Sequence, residues 1–253
     1  MNTWLFTSAG HASGVTALTL ALATLWPDDV LLVDGNREPD QSVLAGYLQG
    51  ANPAGRGLGA VLQAHRERRP LAECLPGLTL PLGDASSSDF LPGFAHPGMV
   101  ALFAQVWPDF AAALSASERT VLVDAGRIGP TGLPLPMVSV SSGVVVVTGS
   151  RLVDLAALRL YLPLVVASAG EERVGLVVVG PNRPYGTGEI SERFGVPVWG
   201  KVAWSPAEAA VFAAGERAPR RRLVGPYLAD VRALAVSLLE QTAVHRSLIG
   251  VPR

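Results

Sequence analysis

Short runs of strand-forming residues alternate along almost the whole chain with alanine- and leucine-rich stretches at helical spacing. That alternation restricts the fold to successive βαβ units. The strand-like runs are Trp4 to Thr7, Val30 to Asp34, Leu78 to Leu82, Thr120 to Asp124, Gly143 to Thr148, Val174 to Val179 and Val198 to Val202. Between them the spacing predicts helices at about Val15 to Leu25, Gly57 to His65, Gly98 to Leu114, Leu152 to Ala167, Thr187 to Phe194, Pro206 to Ala214 and Pro226 to Thr242. Gly, Pro and Asp cluster at the connections, as in Trp26-Pro27-Asp28-Asp29 and Gly129-Pro130-Thr131-Gly132. Hydrophobic residues make up 49% of the chain and charged residues 16%, so many strands are expected to be buried on both faces, as in a parallel sheet covered by helices. The expectation is a three-layer α/β/α protein with a mostly parallel central sheet of about seven strands. The 253 residues fit a single domain. Residues 35 to 97, rich in Gly, Pro and Ser with poor periodicity, read as long surface loops over the site.

Several function classes are disfavoured. The longest apolar runs, Val144 to Val147 and Leu160 to Ala167, fall short of the roughly 18 residues of a spanning helix. Strand-like Trp4-Leu5-Phe6 stands where a secretory signal would have its basic start, so export is not expected. The single Cys74 forms no internal disulfide and fits a reducing cytoplasm. His65, His96 and His245 lack metal-ligand spacing. Ser8, Ser13 and Ser86 to Ser88 sit in no nucleophile elbow. With a net charge of −1, no global field draws the chain to nucleic acid or anionic lipid. The basic run Arg217 to Arg222 reads as a solvated connection rather than a DNA-coating patch.

The chemistry-bearing segment is Trp4 to Leu18, which passes from a strand through small residues into an apolar helix. Small residues let successive backbone N–H groups turn inward, and the helix start adds its positive dipole end, a combination suited to phosphate. Two more apolar strands, Val30 to Asp34 and Thr120 to Asp124, end in aspartates. Carboxylates at that end of the sheet lie at the crevice where ligands bind and can hold the water shell of a magnesium ion. Thr16 is the first hydroxyl of the helix and is placed to contact that metal. His11, inside the loop, reads either as a phosphate donor or as a solvent-facing imidazole.

On these residues the chain resembles the MinD/ParA superfamily of deviant Walker-A P-loop ATPases (the SIMIBI class). Within it, the chain is most similar to an actinobacterial-type subgroup of MinD-like proteins related to the TadZ and CpaE localisation factors. Beyond the loop, the resemblance extends to Thr120–Arg127, Val145–Thr148, Phe194–Gly200 and Trp204-Ser205-Pro206. It implies that Gly10, His11, Ala12, Ser13, Gly14, Val15, Thr16 and Ala17 stand at the eight positions of the family loop K-G-G-x-G-K-[ST]-[ST]. Only Gly14 and Thr16 keep the pattern. Gly10 replaces the lysine that in relatives reaches across a dimer, and Val15 replaces the lysine that holds the β- and γ-phosphates. The family's D-x-D becomes Asp34-Gly35-Asn36, and Asn36 cannot accept a proton. Asn182 falls near the place where relatives read adenine, two residues beyond Gly180 at the end of its strand.

The resemblance therefore implies ATP and magnesium as cofactors, held by Gly10 to Ala17, Asn182, Thr16, Asp34 and Asp124, with hydrolysis impaired. It points to a localisation or scaffold factor working through protein partners, for a Tad-like secretion or pilus apparatus. The alternative is a slow Mg-ATP-dependent switch. Dimerisation stays open, because the cross-dimer lysine is gone yet an interface independent of nucleotide could replace it. The last helix, with Asp230 and Glu240, is a poor match for a cationic membrane-targeting helix and reads as core packing.

Overall fold

The computed structural model describes residues 2–10, 14–83, 88–216 and 225–248. In chain order the elements are β1 (Thr3–Ser8), α1 (Val15–Leu25), β2 (Val30–Asp34), α2 (Ser42–Ala45), α3 (Leu58–Arg66), α4 (Leu71–Cys74), β3 (Leu80–Pro81), β4 (Asp89–Leu91), α5 (Gly98–Leu102) and α6 (Trp107–Ser115). There follow β5 (Thr120–Arg127), α7 (Leu135–Val140), β6 (Gly143–Gly149), α8 (Leu152–Ala169), β7 (Val174–Val179), α9 (Thr187–Phe194), β8 (Val198–Val202), α10 (Pro206–Ala213) and α11 (Pro226–Leu248). The strands form one sheet in the order β3-β4-β2-β5-β1-β6-β7-β8. Every pairing is parallel except β3 with β4.

Alternate residues of each strand feed two separate cores, as the period of two requires. Leu5, Val33, Val123, Val146 and Leu176 face one side, where they meet α3, α6, α7, α8 and α9. Trp4, Phe6, Leu32, Leu122, Val145 and Val177 face the other and meet α1, α10 and α11. α1 is apolar on nearly all sides and almost entirely buried, as a helix at the centre of a layer must be. It stops at Trp26, before Pro27, which holds the preceding residue extended. α8 starts on a capping arrangement in which the Arg151 N–H donates to Asp154 Oδ2 (3.3 Å) and the Arg151 guanidinium pairs with the same carboxylate. Its eighteen residues are long and apolar enough, by length and composition, to cross a membrane. Here they lie as one layer against the sheet, with Leu158, Leu162, Val165 and Ala169 buried.

The sheet is mostly parallel, as expected, and has eight strands: Asp89–Leu91 joins the seven read from the sequence, pairing in parallel with β2 at Leu31↔Asp89, Leu32↔Phe90 and Val33↔Leu91. Two expectations need correction. The expected strand Leu78 to Leu82 shrinks to Leu80–Pro81, antiparallel on the edge, since Pro81 has no N–H to extend a ladder. The single helix expected over Gly98 to Leu114 is two, bent by 71° between Gln105 and Trp107. Pro108 sits in the first turn of the second, where its missing N–H costs nothing. The bend lets Phe103 and Trp107 meet edge to face at 4.8 Å. The basic run Arg217 to Arg222 includes only residues outside the described set.

Candidate functional site

Parallel strands bring all their C-terminal ends to one edge of the sheet, and the predicted residues collect there. Asp34 ends β2 and is directly opposite Asp124 of β5 in the ladder, while Phe6 of β1 flanks Asp124 on its other side. The Gly35 N–H donates to the Asp124 backbone carbonyl at 2.8 Å, which fixes the two chain turns together. Immediately beyond, β5 bulges: Phe6 pairs with Asp124 but Ser8 pairs with Arg127. The bulge turns Gly126 into a left-handed conformation, φ 62°, and its N–H donates to Asp124 Oδ1 at 2.8 Å. The Thr7 hydroxyl donates to the Gly126 carbonyl at 3.0 Å.

Thr16 completes this side. Its hydroxyl hydrogen-bonds to the Asp124 carboxylate. α1 begins at Gly14, φ 76°, with no side-chain cap and no acidic residue in its first turn. The Leu18 N–H is the one that reaches back to the Gly14 carbonyl, at 2.9 Å. The N–H groups before it therefore have no helical acceptor and face the loop with the positive end of the helix.

Among the described residues no cation contributes to the electrostatics of the two carboxylates. Burial and the neighbouring charge of Asp124 push Asp34 up to about 7, against partial relief from the N–H groups of Asn36 and Gly93. Burial pushes Asp124 up to about 6, opposed by the Thr16 hydroxyl and the Gly126 N–H. Asp40 adds a further negative charge felt by both. The nearby arginines are engaged elsewhere: Arg127 pairs with Glu38 at 2.8 Å, and Arg37 donates to Thr131 Oγ1 at 3.0 Å and to the Gly132 carbonyl. Among the described residues no group of three or more His, Cys, Asp or Glu side chains forms a metal cage. Two uncompensated carboxylates and a hydroxyl make a hard-oxygen donor set that fits a partly hydrated magnesium ion.

The lysine-replacing positions are equally informative. Val15, the first residue of α1, is packed into the core, 6% exposed. Gly10 lies against α8, where an added Cβ would come within 3.7 Å of Ala157 Cβ. Ala17 is buried. His11, Ala12 and Ser13 lie outside the described residues. Asn36 donates its backbone N–H to Asp34 Oδ1 at 3.2 Å, while its own Oδ1 accepts from the Glu38 N–H at 3.0 Å.

Asn182 is not part of this cluster. It sits after β7, two strands from β1, which is roughly 10 Å along the sheet edge. It adopts φ 61°, and its N–H donates to the Tyr185 carbonyl at 2.8 Å, so it serves its own turn. Beside it, the Arg183 guanidinium covers the Trp204 ring at 5.3 Å. The Ser150 hydroxyl ties that loop down by donating to the Gly180 carbonyl at 2.5 Å. A small open cleft of about 50 Å³ lies between them.

Sequence reasoning missed Gly93, Gly126, Thr7 and Asp40. A Cβ at residue 93 would lie 2.4 Å from Asp34 Oδ2, so glycine is required for the loop to close over that carboxylate. The Pro92-Gly93 dipeptide marks a turn in the sequence, but nothing in it says what the turn covers.

An eight-stranded, mostly parallel sheet with β1 and α1 at its centre and Asp34 and Asp124 side by side toward the C-terminal edge has the architecture of a P-loop NTPase fold. More particularly, the fold is that of the MinD and ParA ATPases. The chain is similar to the MinD cell division protein of Aquifex aeolicus, with a TM-score of 0.73 and 17% identity over 95% of this chain and 97% of that one. It is similar to a ParA family ATPase from Chlorobium tepidum, with a TM-score of 0.71 and 17% identity over 93% and 97%. It is similar also to the septum site-determining protein MinD of Pyrococcus horikoshii complexed with Mg-ADP, with a TM-score of 0.68 and 16% identity over 96% and 98%. No protein-family model and no curated protein sequence matches the chain.

Proposed function

We propose that these residues form one MinD/ParA-type domain whose nucleotide site has lost its cationic side chains, and that it works as a localisation or scaffold factor with little or no ATP hydrolysis. The observation that carries this reading is the contrast at the sheet edge. Thr16, Asp34 and Asp124 converge beside an uncapped helix start, while the two positions of the family's lysines hold a core-packed Val15 and a Gly10 set against α8. A hydrogen bond to a charged group contributes about 1.5 to 3 kcal/mol, so each lost lysine weakens phosphate binding roughly ten- to a hundred-fold.

If nucleotide binds, the N–H groups of the loop from Gly10 to Ala17 would hold its phosphates, and Thr16, Asp34 and Asp124 would hold magnesium. The metal would supply charge neutralisation at the phosphates. Turnover also needs charge stabilised on the transferred group and a positioned water, and this chain places neither lysine nor a second carboxylate after Asp34 for that purpose. The place of work is the cytoplasm and the partners are proteins. The sequence resemblance to the TadZ and CpaE localisation factors supports a secretion or pilus apparatus as the partner.

A second reading, a slow Mg-ATP-dependent switch, is favoured by the retained Thr16–Asp124 hydrogen bond. Titration with a non-hydrolysable ATP analogue and magnesium separates the two. The scaffold reading expects millimolar or absent binding, and micromolar magnesium-dependent binding supports the switch. Phosphate release from ATP is expected to stay below about one turnover per minute. Faster release that is lost in Thr16→Ala would sink the pseudo-ATPase reading.

A further inference from the structure

The ladder between β2 and β5 ends at Asp34↔Asp124, and the Gly35 N–H adds one more bond to the Asp124 carbonyl at 2.8 Å. Past that point side chains join the two segments, and they do so in both directions. From the first segment, Arg37 donates to Thr131 Oγ1 at 3.0 Å and to the Gly132 carbonyl. From the second, the Arg127 guanidinium donates to both carboxylate oxygens of Glu38, at 2.8 and 3.0 Å. Inside these links the Asn36 side chain lies against Gly126, where an added Cβ would run into its amide. A third segment is tied in by the Gln41 amide, which donates to the Phe94 carbonyl at 2.9 Å.

We propose that Arg37 and Arg127 form a crossed strap that holds together the two segments leaving the carboxylate pair, by the chain's own side chains and independently of any ligand. An exposed ion pair alone holds little. Here one link is a two-pronged arginine–carboxylate contact, which fixes orientation as well as distance. The other starts at the neighbouring residue and reaches a different point of the second segment, so a movement that slackens one link is resisted by the other. Asn36 and Gly126 fill the space between, leaving the segments little room to slide. A ligand shifts only an equilibrium between states that the chain can visit. Segments strapped in one arrangement give it none to shift, which suits a scaffold and not a switch. For that consequence the inference rests on the function proposed above and describes how the same site is regulated; the strap itself is a property of the nucleotide-free chain.

Amide hydrogen exchange of the full chain, free of nucleotide, reads the strap at the N–H groups of Gly35, Glu38, Gly129 and Gly132, all hydrogen-bonded within these segments. Glu38→Arg and Arg127→Glu, each checked for a native circular dichroism spectrum, should each speed exchange there by about fivefold or more. The double reversal rebuilds the pair the other way round and should return exchange to within about twofold of wild type. Arg159→Glu, a reversal at an exposed position of α8, should change nothing at these amides. Salt gives a reading that needs no variant: about 1 M NaCl screens exposed charges and should speed these four amides relative to those of Leu122 and Val145 in the central strands. Four results would each overturn the inference. These are single reversals that exchange as slowly as wild type, a double reversal as fast as the singles, no response to salt, and a wild-type chain whose four amides slow by about fivefold or more with magnesium and ATP, which makes the ligand the closing agent. Micromolar binding of the ATP analogue that leaves the four amides unchanged would sink the scaffold reading and leave the strap standing.

Discussion

Gly175→Ala should lower stability by about 3 kcal/mol, an overpacking cost at the top of the usual range. β8 bulges opposite β7: Leu176 pairs with Val198 but Val177 with Gly200, leaving Trp199 as the extra residue. The bulge lays the Trp199 ring over Gly175, where a Cβ would come within 2.0 Å of Cδ2 and 2.3 Å of Cε2. Gly143 on the next strand is crowded in the same way, by Trp4 Cζ3 at 2.6 Å and Trp199 Cη2 at 3.1 Å. The two indoles meet edge to face at 5.7 Å. One methyl group at residue 175 must therefore displace a whole indole and break that contact. Thermal unfolding should drop by roughly 6 to 12 °C. Gly77→Ala, with nothing within 4 Å of its added carbon, serves as the control. A Gly175→Ala melting point within about 2 °C of wild type would mean that the ring does not lie where described.

The carboxylate pair sets the second large effect. Asp34 and Asp124 ionise near 7 and 6 in the folded chain, against an ordinary value of 3.8. The folded state thus holds protons that the unfolded chain has already released, and stability falls as pH rises from about 4 through about 7. For Asp34 a rise from 3.8 to about 7 corresponds to about 4 kcal/mol at high pH. The side chain is partly open to water, so roughly half of that is expected. Asp34→Asn keeps an acceptor for the Asn36 and Gly93 N–H groups and removes the charge. In EDTA it should be more stable than wild type by about 2 kcal/mol at pH 8 and nearly equal to it at pH 4. Magnesium at pH 8 should raise the melting point of wild type and leave the variant unmoved. Denaturant titrations at the two pH values test this, and an equal difference at both would show that the pair carries no buried charge.

How much of this the sequence disclosed depended on the kind of signal. β2, β5, β6 and β7 are apolar runs long enough to be seen, and burial on both faces is why they are so rich in Val and Leu; β1 and the edge strand β8 were marked by their aromatic and β-branched residues. β4 escaped because Asp89-Phe90-Leu91 is too short for any period to show, and its partner β2 supplies the ordering. Leu78 to Leu82 alternates like a strand, but a proline at the second ladder position stops it. At the site, Asp34 closes β2, Asp124 lies three residues before the end of β5 and Thr16 is the second residue of α1, so what the sequence marks is their place along an element. Gly93 and Gly126 were not legible, since each is defined by a side chain, Asp34 or Asn36, arriving from a distant part of the chain. Asn182 was placed by analogy of position, and the turn it builds with Tyr185 is a property of the backbone that composition does not reveal.

The two borders of the sheet have one more implication. On one side the outermost strand is only two residues long and includes Pro81, which offers no donor. On the other, β8 carries the exposed Lys201. Short, proline-bearing or lysine-bearing margins resist lateral annealing with another β-sheet. Ribbon-like polymerisation and amyloid-type stacking are accordingly poor routes for this molecule.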